Sequence, residues 1–199
     1  MRFPERGLHV SWSFWLLILL AAIVSPLTIV LSILLAAALH ECGHLLALQA
    51  FHVPIEGLRL SAFGAVLHAR GAQRLSYGRE LVVTLAGCGM NLVCGVLTAW
   101  FSLHYVRVEG FVFAGAHILL CAFNLLPIPP LDGSSIIVPF LKGKALANYY
   151  RLQQYAMPIL ILVLYLLPMW TGIDVIGRYF DVTVYPLAEQ LLNFAIAAI

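Results

Sequence analysis

Residues 34–48 read LLAAALHECGHLLAL, a run of leucine and alanine that two histidines and a glutamate interrupt. Apolar sequence of this kind is typical of a membrane-spanning helix, in which ionisable side chains are costly and usually mark chemistry. On a helix, His40 and His44 lie one turn apart on the same face, so both imidazoles can bind one zinc ion. Glu41 lies about 100° around the helix from His40, near enough to activate a water molecule at that metal. The stretch therefore predicts a helix that carries a metal site.

The composition of the whole chain excludes an ordinary soluble domain. Hydrophobic residues make up 62% of the 199 residues and charged residues 10%, against about 25% charged residues in soluble domains, and the mean hydropathy is +0.97. The apolar runs cover residues 12–24, 27–50, 80–105, 111–141 and 155–170, with a shorter run at 187–199. We predict an all-α polytopic membrane protein, a bundle of five to six transmembrane helices that forms one domain over residues 1–199, because about 20 residues are needed to cross and the last run is shorter.

Basic residues predict the orientation of the bundle. If the first span runs outward, nine basic residues fall on the side of the N terminus and two, Arg107 and Arg178, on the other. Loops that remain in the cytoplasm carry the excess of lysine and arginine, so the N terminus and the loop over residues 51–79 should be cytoplasmic. The sequence has no basic face interleaved with aromatic residues, and we expect no nucleic-acid partner.

The segment between the second and third runs alternates as strands do. Apolar residues recur at every second or third position on either side of Ser61-Ala62-Phe63-Gly64, which predicts a small β-hairpin. An open strand edge cannot face lipid. The hairpin should therefore lie at the cytoplasmic side of the bundle, with its edge free for another extended chain, although an ordinary connecting hairpin is an equal alternative.

A catalytic zinc usually has three protein ligands, so one ligand is missing from the first motif. Residues 124–133 read NLLPIPPLDG and place Asp132 beside three prolines and a glycine in otherwise apolar sequence. Prolines break helices, and broken backbone at membrane depth is tolerated only where protein or a water-filled cavity satisfies it. Asp132 is therefore the candidate third ligand, and a plain turn at a helix end is the alternative reading.

Together the two motifs resemble the site-2 protease family of intramembrane zinc metalloproteases. The resemblance rests on H-E-x-x-H in one span followed by N-x-x-P-x-x-x-L-D-G in a later one. It implies that His40, His44 and Asp132 bind Zn²⁺ and that Glu41 is the catalytic base. It also implies that Asn124, which opens the second motif, contacts the substrate backbone or a developing oxyanion.

A third family element, A-G-P-x-x-N, appears as residues 86–91, AGCGMN, with Cys88 where proline is usual. We expect Asn91 to join helices by hydrogen bonds rather than to take part in catalysis. We expect the same of His117, seven residues before Asn124 and so on nearly the same helix face, although it could reach the cavity. The four cysteines are expected to be free thiols.

The short N terminus, the Ser61-Ala62-Phe63-Gly64 hairpin and the run NLLPIPPLDG are similar to the sporulation-type branch of the family. That similarity implies a multi-pass enzyme of a prokaryotic cell membrane. Its substrate would be a transmembrane or membrane-associated protein, for example a membrane-tethered transcription-factor precursor, and a regulatory membrane protein would control it. Two alternatives stay open. One is a catalytically silent module that binds membrane proteins, and the other is a divalent-metal transporter, which should show paired helix breaks in its two halves.

Overall fold

The computed structural model describes residues 7–62, 64–71, 75–105, 108–153, 155–174, 177–183, 185–186 and 189–190. It is mostly helical, as predicted. The helices are α1 (Trp12–Val24), α2 (Leu27–Ala50), α3 (Tyr77–Tyr105), α4 (Val108–Asn124), α5 (Gly133–Ile137), α6 (Lys144–Gln153), α7 (Ala156–Ile161) and α8 (Leu167–Thr171). A π-helical segment, Leu162–Leu166, joins α7 to α8, and a short 3₁₀ turn, Val138–Phe140, follows α5.

Three of these helices form the centre of the protein, because α2, α3 and α4 each pack against the other two. Small side chains let them approach closely. A Cβ atom at Gly43 of α2 would overlap the carbonyl of Ala86 on α3, and one at Gly95 of α3 would lie 3.1 Å from Ile118 of α4. Close helix contact through glycine is a common way to pack helices in membranes.

Among the described residues, two helices, α2 and α3, are long and apolar enough to cross a membrane. The apolar helices Trp12–Val24 and Glu109–Asn124 are shorter, and a 13-residue helix rises only about 20 Å against a hydrocarbon core of about 30 Å. The predicted five to six crossings are therefore not confirmed. Most of the run at 187–199, the proposed sixth, lies outside the described residues.

The predicted hairpin is present and has a third strand. Strands β2 (Ile55–Ser61) and β3 (Gly64–Ala69) pair antiparallel around the expected turn, of which Phe63 lies outside the described residues. Strand β1 (Gly7–Val10) pairs parallel to β2, with Leu8 opposite Leu58. The two-stranded prediction missed β1 because four residues ahead of an apolar helix carry no alternation that could be read. With β1 on one side of β2, β3 is an edge strand of the described sheet.

The proline-rich break also occurs where the sequence predicted it. Helix α4 ends at Asn124, and the chain turns back over residues 125–132 before α5 begins. A Cβ at Gly133 would overlap the carbonyls of Leu125 and Leu126, so only glycine allows this return. The buried hydroxyl of Ser134 donates to Leu131 O at 2.7 Å, and the phenol of Tyr149 on α6 donates to Ser134 Oγ at 3.1 Å. These bonds hold the residues on either side of Asp132.

Candidate metal centre

The two histidines of α2 and Asp132 lie together in the interior of the protein. His40 Nε2 is 2.9 Å from Asp132 Oδ2, His44 Nε2 is 3.1 Å from the same oxygen, and the two Nε2 atoms are 3.1 Å apart. His40 and His44 are buried, with 4% and 8% of their surfaces exposed. Three possible ligand atoms from two distant parts of the chain thus form one small triangle.

The size and chemistry of this triangle suit zinc. A tetrahedral ion with bonds of about 2.0–2.1 Å holds its ligand atoms about 3.3 Å apart, a few tenths of an ångström more than the distances found here. Two imidazole nitrogens and one carboxylate oxygen form a usual ligand set for catalytic zinc. Among the described residues, His40, His44 and Asp132 are histidine and aspartate side chains close enough together to hold one metal ion.

One face of α3 forms the floor under the two imidazoles. Val83, Gly87 and Asn91 are spaced by four residues and therefore lie on one side of this helix. A Cβ at Gly87 would overlap His44 Nε2 and His40 Cε1, so glycine lets both rings lie directly against the α3 backbone. Gly87 belongs to the third family element, AGCGMN, and its contact with the two imidazoles was not predicted.

His44 is oriented by a backbone carbonyl of that face. Its Nδ1 lies 2.7 Å from Val83 O. A carbonyl can only accept a hydrogen bond, so Nδ1 carries the proton and the lone pair of Nε2 is free to bind a metal. This is the usual outer contact of a metal-binding histidine.

His40 is oriented instead by two buried side chains. Asn91 Nδ2 lies 3.2 Å from His40 Nδ1, and Asn91 Oδ1 lies 2.9 Å from His117 Nδ1. Asn91 and His117 are both fully buried. The expectation that each joins helices is confirmed, because this row of side chains runs from α2 through α3 to α4. The direct contact of Asn91 with a predicted zinc ligand was not foreseen.

Glu41 lies on the wall of a cavity that opens beside the triangle. The cavity has a volume of about 650 Å³ and is lined on one side by Glu41, His44 and Asp132. Its lining also includes Ala65, Leu67, His68 and Ala69 of β3. The predicted base, two predicted ligands and the edge strand therefore face the same space.

The remaining predicted site residue, Asn124, is placed differently. Its amide Nδ2 donates to Leu120 O of its own helix at 3.0 Å, and the described lining of the cavity does not include it. Its role in substrate binding stays a prediction. All four cysteines are free, as expected, with Cys88 and Cys121 buried and Cys42 exposed.

No family model matches the chain. It is similar to stage IV sporulation protein FB of Bacillus subtilis (strain 168), with 27% identity over 134 residues, which are 65% of this chain and 46% of the relative. It is also similar to a zinc metalloprotease of Methanocaldococcus jannaschii, with 26% identity over 147 residues, 69% of this chain and 42% of the relative. The chain thus spans less than half the length of these curated relatives.

A solved structure shares the fold. It is that of a site-2 protease from Methanocaldococcus jannaschii, with a TM-score of 0.66 and 20% sequence identity. The similarity covers 96% of this chain and 94% of that one. The match therefore extends beyond the metal centre to the arrangement of the helices.

Proposed function

We propose that this chain is an intramembrane zinc metalloendopeptidase formed by a single domain, because it belongs to the site-2 protease family. The observation that carries the proposal is the triangle of His40, His44 and Asp132 beside a cavity that Glu41 also lines. A metal site that only stabilised the fold would be closed by a fourth protein ligand. Here an acid-base group and open space adjoin the ligands instead.

His40, His44 and Asp132 would hold the ion, and Glu41 would transfer the protons. A zinc ion held by these residues would supply Lewis acidity, which lowers the pKa of a bound water and polarises a carbonyl. Glu41 accepts the proton of the attacking water and returns it to the leaving amine. The contacts of His44 with Val83 and of His40 with Asn91 keep both rings in place during these transfers.

The substrate proposed here is a membrane-embedded or membrane-adjacent segment in extended form. A peptide bond within a helix is shielded by its own hydrogen bonds, so the segment must unwind before Glu41 can act on it. Strand β3 is an edge strand of the described sheet and faces the cavity through Ala65, Leu67 and Ala69. An extended segment could pair with β3 and lie between the sheet and Glu41. A membrane-tethered transcription-factor precursor is one protein that would present such a segment.

We also propose a multi-pass enzyme of a prokaryotic cell membrane with its N terminus and sheet in the cytoplasm. The excess of basic residues on that side supports the orientation, and a regulatory membrane protein would control access to the site. A cysteine introduced at Gly71, next to β3, should react in intact cells only with membrane-permeant maleimide. Reaction with an impermeant reagent would contradict this orientation.

The test of the activity is co-expression with candidate membrane substrates. Glu41→Gln should lower cleavage by about 10²–10⁴-fold, the usual contribution of a general base, and should keep zinc and substrate bound. Glu109→Gln is the matched control, because Glu109 is exposed at the start of α4, and it should cleave as wild type does.

The same experiment separates the alternatives. Cleavage by Glu41→Gln at the wild-type rate would remove Glu41 from the chemistry. Binding of substrates without cleavage by either form would favour the binding module, and zinc uptake by cells that express the wild type would favour the transporter.

A further inference from the structure

The two imidazoles of the metal centre differ in how their outer nitrogens are bound. Val83 O can only accept, so the contact to His44 fixes the proton on Nδ1. His40 faces an amide, whose nitrogen and oxygen have nearly the same shape and exchange places by a half-turn about the Cβ–Cγ bond. The contact of His40 with Asn91 is therefore compatible with two hydrogen-bond arrangements.

Only one of the two leaves His40 able to bind zinc. If Nδ2 of Asn91 faces His40, it donates to Nδ1, and the neutral ring carries its proton on Nε2. Nε2 is the atom 2.9 Å from Asp132 and 3.1 Å from His44, and a protonated nitrogen cannot bind a metal. If Oδ1 faces His40 instead, it accepts from Nδ1–H, and the lone pair of Nε2 points into the triangle.

We propose that Asn91, held by His117, accepts a hydrogen bond from His40 Nδ1–H through Oδ1 and is thus a positioning residue for zinc. The inference rests on the proposed function, because it needs zinc at His40. Nδ2 of Asn91 then donates to His117 Nδ1, so His117 carries its proton on Nε2. In this arrangement both metal-binding histidines donate their outer N–H to an oxygen, as metal-bound histidines usually do.

The surroundings of His117 hold this row of side chains in place. Its ring packs edge-on against Phe113 with the centroids 4.5 Å apart. A Cβ at Gly95 of α3 would lie 3.3 Å from His117 Cβ, so the two helices meet closely at this point. Nε2 of His117 is buried without a hydrogen-bond partner among the described residues in either arrangement. This atom therefore favours neither arrangement, and the choice depends on the contact between His117 Nδ1 and the amide of Asn91.

The first measurement is zinc affinity, determined on the purified full-length chain by competition with a chelator. Asn91→Leu removes the acceptor and should weaken zinc binding by about 10–100-fold, as is typical for outer contacts of metal ligands. Asn91→Asp keeps only acceptor oxygens, so it should bind zinc much more tightly than Asn91→Leu. Ser102→Ala is the matched control, because Ser102 is also buried on α3 and its hydroxyl donates to Thr98 O of the same helix, and it should bind zinc as wild type does.

The second measurement needs no variant of Asn91. Nitrogen-15 NMR of the wild-type protein with labelled histidine reports which ring nitrogens carry protons, and His117→Phe identifies the signals of His117. The proposal expects His117 Nδ1 to be unprotonated and Nε2 to be protonated. This result does not depend on folding of the Asn91 variants.

Three outcomes would overturn the inference: wild-type affinity in Asn91→Leu, equal losses in Asn91→Asp and Asn91→Leu, or a proton on His117 Nδ1. His40→Ala separates this failure from failure of the proposed function. If His40→Ala binds zinc as wild type does, His40 is not a zinc ligand and the proposed metal site is wrong. If His40→Ala loses zinc while Asn91→Leu keeps it, only the role of Asn91 is wrong.

Discussion

The two walls of the cavity beside the candidate metal centre are built in opposite ways. The helical wall carries His44, which lines the cavity, and His40 lies next to it. Both imidazoles are buried on α2 and pack against Gly87 of α3, and their outer nitrogens are hydrogen-bonded. The strand wall carries Ala65, Leu67 and Ala69 on β3, which are half-buried on an edge strand. The helical wall is closely packed, whereas the strand wall is an edge of the described sheet.

In the proposed function, the helical wall would carry metal binding and proton transfer, and the strand wall would carry substrate recognition. Metal binding and proton transfer need side chains that are held within a fraction of an ångström, and packed helices with hydrogen-bonded ligands provide this. Recognition of an unwound segment needs an open edge that accepts many sequences, since main-chain hydrogen bonds are common to all of them. Substitutions in the helical wall should therefore have larger effects than substitutions in the strand wall.

The largest loss should follow removal of a ligand. Asp132→Ala deletes the oxygen shared by His40 and His44 and should weaken zinc binding by more than the roughly 100-fold expected for an outer contact. The helices should remain folded, because the hydrogen bonds of Ser134 and Tyr149 near Asp132 persist. Metal analysis and circular dichroism test both statements. Asp174→Ala, at an exposed aspartate, is the control, and equal zinc contents in both variants would exclude Asp132 from the site.

A smaller loss should follow displacement of the ligands. Gly87→Ala places a methyl group where His44 Nε2 and His40 Cε1 now lie, and a misplacement of about 1 Å can lower the rate by roughly 100-fold. Alanine favours helices by about 1 kcal/mol over glycine, so any loss cannot come from a weaker α3. The control is Gly89→Ala, two residues away, where a Cβ meets nothing within 4 Å. If both variants cleaved a substrate equally well, the floor under the imidazoles would not matter.

The smallest effect should come from the strand wall. Leu67→Ser removes an apolar side chain from the cavity and should lower kcat/KM by roughly tenfold, as loss of a small apolar contact does, while zinc content stays unchanged. Val66 is the neighbouring residue on β3, is 50% exposed and points to the other face of the sheet. Val66→Ser should therefore cleave normally. An equal loss in both variants would indicate damage to the sheet rather than loss of a substrate contact.

The sequence predicted those features that depend on neighbouring residues or on a characteristic motif. The spacing of His40 and His44 defines one helix face, the prolines before Asp132 marked the break, and alternation revealed β2 and β3. The resemblance to the site-2 protease family then joined the two motifs, and the similarity to known proteins confirms that resemblance.

The features that the sequence did not reveal depend on contacts between distant segments. Strand β1 is four residues long and pairs parallel with a strand about 50 residues later, so it has no local signature. Asn91 could be expected to bond another helix, but its partner, His40, is set by the antiparallel packing of α2 on α3. The number of membrane crossings was also uncertain, because apolar runs of 13 to 17 residues can be spans or buried helices.

X-ray absorption at the zinc edge of the purified wild-type protein tests the central claim most directly, because it identifies the atoms around the metal. We expect about one zinc per chain, bound by two imidazole nitrogens and by oxygen at about 2.0–2.1 Å. Retention of no zinc would contradict it. So would a sulfur ligand at about 2.3 Å, because it would show that a cysteine such as Cys42, and not Asp132, completes the site.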